Sequence, residues 1–555
     1  MKKARKLTAL LCVAMLATSL VACGGGETTT ESTPSEGSTP AAEGGDAAAE
    51  EEVNSDPTAL PDVTLPISDE LVTITYFQTT DGNASQVKND YNDLDVYQEL
   101  EKRTNVHIEW QMSSAADTQT NFNLMISSNQ LADVMYGASY YTDGIEAGID
   151  DGYFLDLTEL VPEYAPHYWA VAHTNDKYRK TAITDSGRIG VLWQFQQSEQ
   201  GPWDGLNVRQ DWLDELGLDV PVTYDDWHEA LTGFKEMGVY APLSLMGNGS
   251  LDAASAFMSG FGVTYTWQLT EDGTVGYGPY LDGWKDYVAL MADWYAEGLI
   301  DPDFMTANYY FGDTTMIVTG KTGAWTGMYT MPSLYKQTTE DPDMEISACT
   351  APRVNEDDVI HLRLPDQRTS GVPHALSANL DDEKAQLILK WFDYLFTEEG
   401  ALLCNYGVEG DTFTFDDAGN PVWTDKVLNS PDGYSFSQAQ ANYCMPPSSQ
   451  PFWYDWTREL QGLDEASIAM MDTWAQDDMD WVMPSDLTLT ADEAVERSGI
   501  MTDIDTFLKE QTAQMITGVL DVETNWDTYK STIQSMGIDR AIEITQAAYD
   551  RYLAR

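Results

Sequence analysis

Two aromatic clusters in this sequence have the residue types for binding chemistry and lack the spacing of a helix face. In Gly323-Ala324-Trp325-Thr326-Gly327-Met328-Tyr329 small residues flank the rings, an arrangement that lets another molecule approach the backbone closely. In Cys444-Met445-Pro446-Pro447-Ser448-Ser449-Gln450-Pro451-Phe452-Trp453-Tyr454 two rings follow a proline-rich turn, at an expected helix start. Tyr140 and Tyr141, in the loop after Tyr136, and Trp193 and Trp203 are further aromatic contact candidates. Aromatic faces offer rigid apolar area with a polar edge. A pyranose matches them, with a C–H face to stack and a rim of hydroxyls for carboxylate, amide or guanidinium partners.

Catalytic spacings are missing. The six histidines never fall at HExxH or another tight ligand spacing, and no GxSxG elbow or CxxC pair occurs. Gly320-Lys321-Thr322 imitates the end of a phosphate loop, but Thr315 stands where that loop needs its first glycine. Glu398 and Glu399 read as a solvated helix end. The expectation is a binding protein that is not an enzyme, with no cofactor and no metal.

The charge balance narrows the partners. With 29 Lys and Arg against 91 Asp and Glu, the net charge of −62 repels polyanions, so nucleic acid is not expected. A hydrophobic fraction of 43% over 555 residues supplies more core than one compact domain uses.

Lys2, Lys3, Arg5 and Lys6 precede an uncharged stretch from Leu7 to Ala22, a signal-peptide pattern. At about 1.5 Å per residue that stretch spans about 24 Å, short of the roughly 30 Å of a membrane core. It ends in Leu20-Val21-Ala22-Cys23, which resembles the lipobox of bacterial lipoproteins and implies lipidation of Cys23. Gly24 to about Pro66 is poor in large apolar residues and reads as a disordered tether. Cys349, Cys404 and Cys444 read as buried thiols.

The elements that must position the aromatic clusters alternate. Leu71–Phe77, Val106–Trp110 and Asp133–Tyr136 read as strands, with helices over Tyr91–Arg103 and Thr118–Ile126 between them, which predicts a mostly parallel α/β sheet. Ligands of such sheets sit beyond the strand carboxyl ends, so the loops after Phe77 and Tyr136 are candidate site loops. A second α/β run starts near Ile189, with a strand over Leu206–Arg209 and a short helix from Asp211 to Leu216 closed by Gly217. Thr223 is an expected N-cap, and Trp284, Tyr287, Val288, Met291, Trp294 and Tyr295 form one apolar stripe of a helix ended by Gly298. Asp382–Phe396, Asp492–Gly518 and Asp527 onward add helices.

Several further runs are specific in combination: Leu131-Ala132-Asp133-Val134-Met135-Tyr136, Arg209-Gln210-Asp211-Trp212-Leu213-Asp214-Glu215-Leu216-Gly217-Leu218, Tyr295-Ala296-Glu297-Gly298-Leu299-Ile300-Asp301-Pro302, and Thr397-Glu398-Glu399-Gly400 with Tyr406-Gly407-Val408-Glu409-Gly410. With Gly320–Trp325 they make residues 70–555 similar to extracellular solute-binding proteins of ABC importers, the group of LplA-like lipoproteins and, more distantly, maltodextrin-binding proteins. The resemblance implies a periplasmic-binding-protein-like fold, α/β in class, with two lobes joined by a hinge, a ligand cleft between them, and permease subunits as partners. It implies residues 1–22 as signal peptide, 23–68 as lipidated cysteine and linker, 69–190 plus 331–403 as one lobe, and 191–330 plus 404–555 as the other. In the maltodextrin binders the glycine-flanked tryptophan segment and an FWY run line the sugar cleft, which matches Trp325, Trp453 and Tyr454. Many LplA-like members have an Asp- and Gly-rich loop where Glu236–Pro242 stands here, so no calcium site carries over.

The expected function is therefore capture of an extracellular oligosaccharide by lobe closure, at the outer face of a bacterial cytoplasmic membrane, with a lipid on Cys23 as anchor. The alternative solute is a peptide or other polar nutrient, since the acidic surface favours cationic or zwitterionic ligands. A surface glycoside hydrolase and a purely structural adhesion lipoprotein are the readings from other classes.

Overall fold

The computed structural model describes residues 55–142, 144–198, 200–245, 256–306, 312–363, 372–447 and 449–555, with the backbone alone of 247–248 and 308–309. The expected signal peptide, Cys23 and most of the tether lie outside the described residues.

Short apolar runs flanked by polar turns build the first sheet. β1 (Val72–Thr79), β2 (Val106–Ser113) and β3 (Val134–Tyr136) alternate with α1 (Asp95–Thr104) and α2 (Thr118–Ser128). β1 pairs in parallel with both β2 and β3, as the strand-helix alternation predicts. α1 and α2 end on left-handed asparagines, Asn105 and Asn129.

The chain then makes β4 (Phe195–Gln196) and enters a second sheet at β5 (Asp204–Arg209). α3 (Gln210–Leu216) closes on Gly217 at φ +71°. α4 (Tyr224–Glu236) opens on a capping box, in which the Thr223 hydroxyl accepts from the Asp226 N–H and the Asp226 carboxylate accepts from the Thr223 N–H. β6 (Ala241–Ser244), the hairpin of β7 (Trp267–Leu269) and β8 (Val275–Tyr277), α5 (Gly283–Ala296), β9 (Thr322–Met328) and β10 (Ile346–Cys349) follow. The second sheet has the order β10-β5-β9-β6, with β5 antiparallel to both neighbours and β9 parallel to β6.

β11 (His374–Leu376) returns to the first sheet beside β3, antiparallel. α6 (Asp382–Tyr394) and β12 (Trp453–Tyr454) also pack with the first core. α7 (Ala491–Ile516), α8 (Val522–Met536) and α9 (Ile538–Ala554) complete the second, with Gly537 at φ +105° separating the last two.

Two large cores result. The first draws on residues from Ile74 to Phe195 and from Leu376 to Tyr454. The second draws on Leu206 to Cys349 and Met501 to Ala541. Thus 346–349, grouped by sequence with the first lobe, pair with β5 of the second sheet, and Cys404, Met445, Phe452 and Tyr454, grouped with the second, lie in the first core. In α5 the apolar stripe is buried at Trp284, Tyr287, Val288, Met291 and Trp294. Cys349, Cys404 and Cys444 are free and buried, as expected, and burial raises the pKa of each thiol, which keeps it protonated.

Candidate functional site

The chain passes from the first core to the second between β4 and β5, and rings gather there. β4 pairs in parallel with β12, which brings Trp453 opposite Phe195 and Tyr454 opposite Gln196. The Tyr454 hydroxyl donates to Glu459 at 3.3 Å. Beside it the buried Arg458 guanidinium donates to the carbonyls of Cys404, Asn405 and Met445. Trp203, just before β5, accepts at its carbonyl from the Tyr329 N–H.

At this end of the second sheet polar atoms are buried without partners: Asp204 Oδ1, Asn207 Oδ1 and Thr326 Oγ1. In the β5–β9 register Met328 faces Asp204 and Thr326 faces Leu206, so Asp204 and Thr326 share one face of the sheet. Burial pushes the Asp204 carboxyl up to about 7. A carboxyl tuned this way is partly protonated at neutral pH and can donate a hydrogen bond as well as accept one. It borders a small space whose lining includes Ser259, Arg363, Trp474 and Asp477.

Met258, next in sequence to Ser259, lines a much larger cavity of about 860 Å³. That volume lies in the range of small-molecule sites. Trp267 and Tyr277 come from the β7–β8 hairpin, Trp284 and Tyr287 from the first turns of α5, and one face of α7 closes the opposite side. Trp267 and Tyr277 lie 5.0 Å apart between ring centroids, and Trp284 and Tyr287 5.4 Å. The charged lining residues are Arg497, Asp505 and Lys509, all on α7. Thr512 presents a buried hydroxyl without a partner. Thr142, following Tyr141, reaches the lining from the first sheet's side of the chain.

None of the seven aromatic residues singled out from sequence lines this cavity. Trp325 is 0% exposed on β9, packed with Ile317, Tyr335 and Met344, so in this conformation its ring offers no face to a solute. The flanking glycines serve internal packing: a Cβ at Gly323 would stand 2.4 Å from the Phe234 ring, and one at Gly327 would stand 2.9 Å from the Asn207 amide. Tyr454 is 2% exposed. Trp453 sits in a two-residue strand rather than at a helix start, partly exposed, its carbonyl taken by Asn405 Nδ2 at 2.9 Å. Trp193 and Trp203 are partly exposed, and the Trp193 indole N–H is buried without a partner. Tyr140 packs edge-on against Phe122, and Tyr141 donates its hydroxyl to Asp151 at 2.5 Å.

Sequence reasoning missed Trp267 and Tyr277, which sit in strands too short to show a period. It placed Trp284 and Tyr287 in the apolar stripe, where they also belong to the cavity wall. Their partners on α7 are more than two hundred positions away in the chain, a juxtaposition that no local spacing signals.

For a cation, one group among the described residues has suitable atoms within 4.8 Å of one another, His361, Asp478 and Asp480. The His361 imidazole is already engaged by the Asp478 carboxylate at 2.9 Å.

No family model matches the chain. In sequence it is 22% identical over 499 residues to the fructooligosaccharide ABC transporter substrate-binding protein FusA of Streptococcus pneumoniae serotype 4, covering 84% of this chain and 88% of that one. In structure it is similar to the alginate-binding protein AlgQ2, with a TM-score of 0.67 at 22% identity over 87% of this chain and 99% of that one. It is also similar to an extracellular solute-binding protein from Bifidobacterium longum subsp. infantis, with a TM-score of 0.68 at 18% identity and the same coverage of each. One sequence relative is thus a substrate-binding protein of an ABC transporter, and the chain has the two-domain α/β fold of extracellular solute-binding proteins.

Proposed function

We propose that this protein is the substrate-binding component of an ABC importer, which takes up an extracellular oligosaccharide in the cavity between the β7–β8 hairpin, α5 and α7 and passes it to a membrane permease. The observation that carries the reading is the cavity itself: about 860 Å³, walled by indole and phenol rings, with three charged side chains and an unpartnered hydroxyl. Ring faces stack on sugar C–H surfaces, and polar groups at the rim select among hydroxyl patterns. The homologues are binding proteins, and one is named for a fructooligosaccharide.

The two cores act as lobes in this reading, with 197–203 and 455–464 among the segments that join them, and closure of the lobes would retain the solute. Lipidation of Cys23 would hold the protein at the outer face of the cytoplasmic membrane, with the low-complexity segment as tether. Among the described residues no helix is long and apolar enough to cross a membrane.

The test is calorimetric and fluorescence titration of the purified protein against a panel of neutral and acidic oligosaccharides and short peptides. Saturable binding of an oligosaccharide without new reducing ends supports the reading. Saturable binding of peptides alone replaces it with the polar-nutrient reading, and release of reducing ends replaces it with a glycoside hydrolase.

A further inference from the structure

The charge on the cavity wall runs against the charge of the chain. The molecule has 91 acids to 29 bases, yet the charged side chains facing the cavity are two cations, Arg497 and Lys509, and one carboxylate, Asp505. The carboxylate is engaged, since Asp505 Oδ1 accepts from the Tyr277 hydroxyl at 3.1 Å. The cations are not: among the described residues no carboxylate oxygen lies within ion-pairing distance of Arg497 or Lys509, although Glu493 stands one turn before Arg497 and pairs instead with Arg551 at 2.5 Å. The Arg497 guanidinium lies over the Trp267 ring, 5.7 Å from its centroid, and donates once, to the Thr545 hydroxyl at 3.2 Å. Most of its five N–H donors are left to a guest.

Burial makes the half-buried Arg497 guanidinium costly to keep, the nearby Glu493 charge offsets that only in part because its carboxylate is bonded to Arg551, and a carboxylate brought directly to the guanidinium adds charge-assisted hydrogen bonds. We propose that the cavity is built for an acidic oligosaccharide, whose carboxylate is held by Arg497 with support from Lys509 while a sugar ring stacks on Trp267. The proposal rests on the reading of this cavity as the oligosaccharide site. The net charge of −62 opposes an anion's approach at long range, but physiological salt screens charges beyond about 8 Å, so the groups inside the cavity decide the affinity.

The experiment compares a neutral trisaccharide with a uronic-acid trisaccharide of the same length, titrated into the parent protein, Arg497→Gln, Arg497→Lys and Lys509→Gln. The parent is expected to bind the acidic sugar at least about tenfold more tightly than the neutral one. Arg497→Gln is expected to collapse that ratio, Arg497→Lys to restore part of it, and Lys509→Gln, on an exposed position of the helix, to reduce it. If Arg497→Gln does not fold, the parent's ratio and that of Lys509→Gln decide. A parent that binds the neutral sugar as tightly as the acidic one, or a ratio unmoved by the substitutions, overturns this inference and leaves the oligosaccharide reading in place. Binding of neither sugar, with no other oligosaccharide of the panel bound, overturns the reading and the inference together.

Discussion

Tyr329 donates its backbone N–H to the carbonyl of Trp203 at 3.0 Å, which continues the β5–β9 pairing one step past the strand ends and fixes the two aromatic residues that adjoin Asp204 and Met328 in sequence. The Tyr329 hydroxyl is raised in pKa by its burial and by the nearby Glu459 charge, so it stays protonated. The second sheet therefore meets the chain crossing with a neutral phenol and a carboxyl whose charge depends on pH.

That carboxyl links stability to pH. The folded-state value of Asp204, about 7, lies above its ordinary value of 3.8, so the folded protein binds the proton more tightly than the unfolded chain does. Its contribution to stability is highest below about pH 4 and is lost as pH climbs to 7. Asp204→Asn is accordingly expected to be near neutral at pH 4 and to stabilise the ligand-free protein at pH 8, by up to a few kcal/mol. Thermal unfolding of both proteins at the two pH values checks this, and an equal shift at both would show that Asp204 titrates normally.

Trp325 and Trp267 should separate folding from binding. Trp325→Ala empties a fully buried site and is expected to cost about 3–5 kcal/mol of stability. Trp267→Ala is expected to cost far less stability and to weaken oligosaccharide binding by tenfold or more. Urea denaturation and solute titration on the same preparations measure both effects, and the reverse pattern would return Trp325 to the ligand site.

Gly205 allows a tight approach. An added Cβ there would lie 2.5 Å from the Trp474 ring, whose indole N–H donates to the Leu206 carbonyl at 3.0 Å. Gly205→Ala is expected to destabilise the protein by about 1–3 kcal/mol, read from the urea midpoint, because neither the ring nor the strand is free to move.

The buried thiols should be silent in the native state. Cys349, Cys404 and Cys444 are expected to resist an aromatic disulfide reagent until denaturant is added and then to react together. Prompt reaction of any of them in the native protein would contradict its burial.

How far the fold could be read from sequence follows from the range of the forces involved. β1, β2 and β3 were legible because each is a short apolar run bounded by polar turns, and the α4 start was legible because Thr223 and Asp226 bond to each other across three positions. The stripe on α5 follows from helical spacing alone. Trp325 shows the limit: glycine flanks identify a close approach but not what approaches, and here Phe234 and Asn207 take the room. The grouping of Ile346–Cys349 with β5 and of Phe452 and Tyr454 with the first core depends on sheet pairing between distant segments, which leaves no local mark. The cavity was illegible for the same reason, since Trp267 and Arg497 meet only in the folded chain.

α7 shows one further consequence. Its inner face borders the cavity from Ala494 to Ile516, about six turns, while its start is fixed by the Thr490–Glu493 capping box and by Arg551 on α9. Met501 and Ile516 on that face already pack in the second core, and a guest adds partners to the rest of it. Amide hydrogens between residues 497 and 512 should then exchange with solvent more slowly once a sugar is bound, while those at the capped end hold their rate, which makes this helix a built-in reporter of occupancy.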